Sequence, residues 1–244
     1  MEDVLTDRDL ACVLLGSMDY DAQLIAIRGM LQRQRAEDAE LSAAITRLDG
    51  EARRLRGLAN ERAVDEWIDH LHASVFQGAA HSMAAVGMLA PLTESLLKRS
   101  FLGIRDLLVQ RQDPLLYSVR PHMPEDQRWK CQCVAGGGVD LVRGVLELVN
   151  DLGLAAVLPS DLKPTLEALF GYRNKNLHCG FEWPEDERRK FAERLAREWP
   201  SHWFSSAETG GEPWIFYMSD EFVDHCLATV EAILDGLGGF VRSR

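Results

Sequence analysis

Residues 21–60 read DAQLIAIRGMLQRQRAEDAELSAAITRLDGEARRLRGLAN, and the spacing of their apolar side chains decides the fold class. Leu24, Ile27, Leu31, Leu41, Ile45, Leu48, Ala52, Leu55 and Ala59 recur at alternating steps of three and four. Such a stripe lies along one side of a helix and repeats over about five heptads. A strand would need alternation at every second residue instead. Gln34 and Asp38 interrupt the stripe. Two readings of the seam stand: a long helix lying on the body of its own domain, or a coiled coil, antiparallel or dimeric. Polar seam residues weaken a coiled coil but can set its register.

Working outward, the rest of the chain is also helical in pattern. Upstream, residues 6–17 suit a short helix, with Thr6 as N-cap and Asp7 and Asp9 at the positive end of its dipole. Downstream, residues 63–76 form a further helix, and residues 78–112 a long one interrupted at Pro91, where a kink or a new first turn is expected. Its first half is crowded with small residues (Gly78, Ala79, Ala80, Ser82, Ala84, Ala85, Gly87), a face that lets another helix approach closely. Pro114, Pro121 and Pro124 mark a loop, residues 127–134 suit one or two helical turns, and Gly136 to Gly138 break the chain. Helices follow at 140–152, from Ser160 or Asp161 to Cys179 with Pro164 in the first turn, and at 185–198 before Pro200. Residues 203–207 and 214–217 can pair as a small hairpin across Gly210 and Gly211, or form a loop. A last helix spans 220–237 and is expected to end near Gly236, Gly238 and Gly239. The expected architecture is all-α: a helical bundle over residues 61–244, preceded by a long helical or coiled-coil extension over residues 1–60, with a small β-hairpin near the C-terminus.

Composition bounds the function. With 244 residues, 46% of them hydrophobic, the chain can bury a sizeable core. The five cysteines are irregularly spaced, and the N-terminal residues lack the basic-then-apolar pattern of a secretory signal, so a reduced, cytoplasmic setting is expected. No run approaches the roughly 18 consecutive apolar residues of a membrane span. A formal net charge of −11 disfavours duplex DNA, because duplex binding rests on neutralising phosphates. Any nucleic-acid chemistry must then sit in a locally positive groove.

The residues that carry chemistry lie in GYRNKNLHCGFEWP, residues 171–184. Arg173, Asn174, Lys175, Asn176 and His178 crowd into six residues at a helix end, where two asparagines invite a turn. Arg173, Asn174 and His178, set between Leu169, Phe170 and Tyr172 on one side and Gly180 on the other, resemble the Arg-x4-His motif of HEPN domains. The likeness is specific over residues 173–180 and loose from about residue 63 onward. Active members of that family are helical, metal-independent endoribonucleases that build one site from two domains. The resemblance implies His178 as acid/base and Arg173 as phosphate clamp, with Asn174 orienting one of them or binding the backbone. Tyr172, Lys175 and an acidic residue on an earlier helix, Glu94, would support them. Cleavage would proceed by attack of the RNA's own 2′-hydroxyl, leaving a 2′,3′-cyclic phosphate and a 5′-hydroxyl. No cofactor is implied.

The residue types suit that reaction. An imidazole titrates near neutrality and moves protons, and a guanidinium offers a fixed fork of donors to phosphate oxygens. Helix geometry adds a condition: residues five apart diverge by about 140° and roughly 7.5 Å along the axis. Arg173 and His178 of one chain therefore meet only if the helix end unwinds or a twofold partner supplies the other half, so a homodimer is expected. Over residues 171–200 seven basic residues face six acidic ones, against −12 for the rest. A catalytically silent HEPN-like module that binds nucleotide, RNA or protein is the alternative, and an unrelated helical scaffold the third reading.

Other constellations are weaker. His70, His72 and His81 lie near Asp65, Glu66 and Asp69 but lack the paired Glu-x-x-His units of a di-metal bundle. Cys131 and Cys133 lack a second pair at zinc spacing. Cys179 adjoins His178 but points elsewhere on a helix. No metal site is expected. The six tryptophans suit core packing, with base stacking by those after the motif as the other role.

Overall fold

The computed structural model of the chain describes residues 5–16 and 18–244. It is all-α with a single small hairpin among the described residues. In order come α1 (Asp7–Leu15), α2 (Tyr20–Arg54), α3 (Leu58–Gln110), α4 (Leu115–Ser118), α5 (Glu125–Arg128), α6 (Leu141–Asp151), α7 (Leu162–Cys179), α8 (Glu185–Glu198), β1 (Phe204–Thr209), β2 (Glu212–Met218) and α9 (Asp220–Arg242). The first helix was expected to reach Ser17, which lies outside the described residues.

The chain divides into two compact units that interleave in sequence. One comprises the chain up to Gln23, Leu89–Gly171 and Asp224–Arg244; the other, Leu24–Met88 and Tyr172–Val223. Residue 60, where the sequence places a boundary, falls within the second unit.

In the second unit α2 is no free extension. Gly57, at φ 59°, turns the chain between α2 and α3. Asn60 Nδ2 donates to the carbonyl of Ala52 at 2.5 Å, and farther along Asp38 contacts the His81 ring at 2.8 Å. Partners that recede together from the turn define an antiparallel helical hairpin, which buries Leu24, Leu31, Leu48 and Ala52 of the seam. Most of α2 thus lies against α3 of its own unit, antiparallel to it.

A cluster of aromatic rings forms the core on the other side of this unit. Trp183, Phe191, Trp199, Phe204 and Phe216 are all buried, with successive ring centroids 4.9–5.8 Å apart. They join α8 to the hairpin. The hairpin turns at Gly210 and Gly211, both at positive φ, which gives the two-residue turn whose twist matches antiparallel strands. The tryptophans after the motif are core residues, save Trp214, whose indole is half-buried and donates to Glu182 Oε1 at 2.7 Å.

In the first unit Thr6 and Asp9 close a capping box at α1. One expectation fails in this unit. Gly236, Gly238 and Gly239 do not end α9, which runs to Arg242. Their role is close approach: a Cβ on Gly238 would stand 1.7 Å from the carbonyl oxygen of Asp7, and one on Gly236 2.2 Å from that of Val157. The loop after α3 is also organised by a residue the sequence reading passed over. Arg120 is buried at φ 42°, its guanidinium donating to the carbonyls of Lys130 (3.2 Å) and Gly144 and lying 3.3 Å from Glu147. Buried carbonyls of an irregular segment need donors, and an arginine fork supplies several at once.

The two helices expected at 63–76 and 78–112 are one helix, α3, continuous through Pro91. Proline leaves the carbonyl of Gly87 without an N–H, and exposed Gly87 leaves that carbonyl open to water. By length and composition α3 alone among the described helices passes for a membrane-crossing segment. Its side chains Ala85, Val86, Leu89, Ala90, Leu92, Leu96 and Leu97 are nonetheless buried within the protein.

Candidate functional site

The last turns of α7, residues 172–179, lie in the second unit and are anchored by Tyr172. Its ring is 1% exposed and sits among Trp183, Phe191 and Phe204. Its hydroxyl donates to the carbonyl of Phe216 at 2.8 Å. Tyr172 therefore supports the motif from beneath and presents nothing to a ligand.

Burial pushes the Tyr172 hydroxyl up to about 12. A raised value in the folded state means that this contribution to stability is complete below about pH 10 and is lost as pH climbs toward 12, by roughly 2–3 kcal/mol. The wild type should thus lose stability in that window faster than Tyr172→Phe, as read by denaturant unfolding at stepped pH. Parallel pH profiles would refute the assignment.

One turn on, Asn176 is buried, and its Nδ2 donates to the carbonyl of Tyr172 at 3.1 Å. With its amide satisfied in this way Asn176 stays within the helix, contrary to the expectation that the paired asparagines invite a turn. The helix stays regular to Cys179, and Gly180, at φ 70°, closes it by donating its N–H to Asn176.

The remaining motif residues point outward. Arg173 is half-buried; its Nε and Nη2 donate to Asn174 Oδ1 at 3.2 and 3.1 Å. Asn174 and His178 are exposed, as is Leu177 at 71%. Lys175 forms an ion pair with Glu187 of α8. Glu94 belongs to the first unit, where its Oε1 accepts from Lys98 Nζ at 2.6 Å. Regularity through Cys179 keeps the divergence of about 140° between Arg173 and His178. Unwinding of the helix end, one of the two ways for them to meet, is absent from this structure.

The local positive charge is largely compensated. Besides Lys175, Lys190 pairs with Asp186 (3.1 Å) and Glu187 (2.9 Å), Arg194 with Glu198 (2.7 Å), and Arg188 donates to the carbonyl of Pro213 (2.9 Å). Of the histidines considered for metal, His70 contacts the backbone carbonyl of Glu66 and His81 the carboxylate of Asp38. No three side chains of ligand type converge among the described residues. All five cysteines are free thiols.

Comparison of the chain with protein families, with curated proteins and with solved structures finds no match.

Proposed function

We propose that the protein is a HEPN-like, metal-independent endoribonuclease whose site is completed by a second copy of the chain. The observation that carries this reading is the disposition of the motif at the end of a well-formed helix: an exposed imidazole at His178 and, on a different face, a guanidinium oriented by Asn174. Exposure leaves His178 open to substrate, and the fork of Arg173 suits a phosphate. The divergence of the two along α7 is what a twofold-related pair of motifs would resolve. Exposed Leu177 between them offers an apolar contact to such a partner. The free cysteines are compatible with a cytoplasmic setting. The decisive experiment incubates pure protein with mixed-sequence RNA in chelator beside His178→Ala. Cleavage lost in the variant, with 2′,3′-cyclic phosphate ends, is the expected result.

A second reading, a silent module that binds RNA, nucleotide or protein, is favoured by the net charge of −11 and the compensated bases of α8. Equal silence of wild type and variant at high protein concentration would select it.

Glu94 tests the supporting role read from the resemblance. Its pair with Lys98 is partly exposed and worth about 0.3–0.5 kcal/mol. Glu94→Ala is expected to lower cleavage, with the melting midpoint measured beside it. If cleavage and stability are both unchanged, Glu94 has no part in the site.

A further inference from the structure

Two sequence features outside the motif meet at one place in the second unit. The seam of α2 is broken by Gln34 and Asp38, and the small residues of α3 stand opposite. Where they face each other the hairpin is not filled. A cavity of about 240 Å³ opens there, closed on its third side by Tyr217 and the start of α9. Gly78 makes room for Tyr217, whose ring would lie 3.3 Å from a Cβ at that position. A hairpin built only to hold two helices together would put leucine in the seam and lose the void.

The lining mixes apolar side chains (Leu31, Ala85, Met218, Val223) with polar ones. Arg35 Nε donates to Asp220 Oδ1 at 2.7 Å, and the His81 ring contacts Asp38 at 2.8 Å. With the Arg35 guanidinium paired to Asp220, the wall offers no unmatched positive charge to attract an anion. Among the described residues, the carboxamide of half-buried Gln34 and the hydroxyl of Tyr217 have no partner within the protein. The void is smaller than the roughly 300–1,000 Å³ of pockets for drug-sized ligands. Its occupant is therefore small, close to neutral, able to donate and accept side by side, and flat enough to lie against an aromatic wall.

We infer that this cavity binds a single nucleobase with an amino group beside a ring nitrogen, adenine foremost. Gln34 would make the paired donor–acceptor contact that glutamine makes with an adenine edge, and Tyr217 would pack on the base. The base can come from a free nucleoside or from an unpaired position in a strand. The inference stands apart from cleavage, because its readout is binding.

The test titrates the full chain with adenosine, and separately with deoxyhexaadenylate, which lacks the 2′-hydroxyl and cannot be cleaved by transesterification. Isothermal calorimetry or chemical-shift changes give the affinity. Gln34→Leu should weaken binding at least ten-fold while melting no lower than wild type, since leucine restores the seam. Gln34→Glu, which keeps the shape and loses the donor, should weaken it similarly and guards against misfolding of the first variant. Saturable binding of adenosine that both variants lose supports a nucleoside site. Binding of the oligomer alone, again lost in both, supports the same pocket reading a strand. No binding of either at millimolar concentration, or binding that neither variant weakens, overturns the proposal.

Discussion

Phe191→Ala is expected to destabilise the protein by about 3–5 kcal/mol, near the top of the range for a single core truncation. Phe191 is 3% exposed and touches five rings: Phe216 (4.9 Å between centroids), Trp183 (5.0 Å), Phe204 (5.1 Å), Trp199 (5.4 Å) and Tyr172 (6.1 Å). Its removal loses the buried area, opens a void that rigid neighbours cannot close, and forfeits edge-to-face contacts worth about 0.5–1.5 kcal/mol each. Phe191→Leu keeps most of the volume and should cost under half as much. Chemical denaturation measures both. A loss below about 1 kcal/mol for the alanine variant would mean that the cluster does not hold α8 and the hairpin together.

The second large effect concerns the proposed chemistry. His178→Ala should lower RNA cleavage by about 10²–10⁴-fold, the usual contribution of a positioned acid or base. Arg173→Ala should lower it by about 10²–10³-fold through lost phosphate stabilisation. The composite site makes a stronger demand. Each variant alone is crippled, yet a mixture contains dimers in which the arginine of one chain meets the histidine of the other. Mixing the two should restore a substantial part of the wild-type rate, in proportion to the mixed dimer formed. Failure of the mixture to recover, together with a monomeric mass by light scattering at micromolar concentration, would sink the shared site. Because His178 is exposed, its substitution should leave the fold intact, and the melting midpoint of Arg173→Ala is the control that separates lost chemistry from lost structure.

Much of this molecule was legible in its sequence, and the misses have definite causes. Helical periodicity is a local signal, and it located α6, α7, α8 and the hairpin to within a few residues, because apolar spacing, caps and a Gly-Gly turn act within one element; it carried α2 past its end at Arg54 to residue 60, across the turn at Gly57. Thr6 with Asp9, Pro164 in a first turn and Gly180 past a last one are of that kind. Gly236 and Gly238 mislead for the opposite reason. Glycine weakens a helix locally, but here it admits a neighbouring backbone, and that neighbour is distant in sequence. Arg120 escaped notice because a buried guanidinium is defined by the carbonyls it satisfies, which appear only when the loop closes around it.

The motif itself divides along the same line. Sequence alone determined that the protein is helical and that Arg173, Asn174 and His178 sit together at a helix end, since both follow from residue type and spacing. Only the tertiary structure decided which of those residues are available. Tyr172 and Asn176 turn inward to the core and to the preceding turn, Lys175 is taken by Glu187, and His178 is left in solvent. Likewise the polar break at Gln34 and Asp38 was visible as a pattern, but what it faces, a cavity and the His81 ring, depended on α3 lying opposite. Periodicity states which face of a helix is buried; what it is buried against is settled by parts of the chain that no local pattern connects.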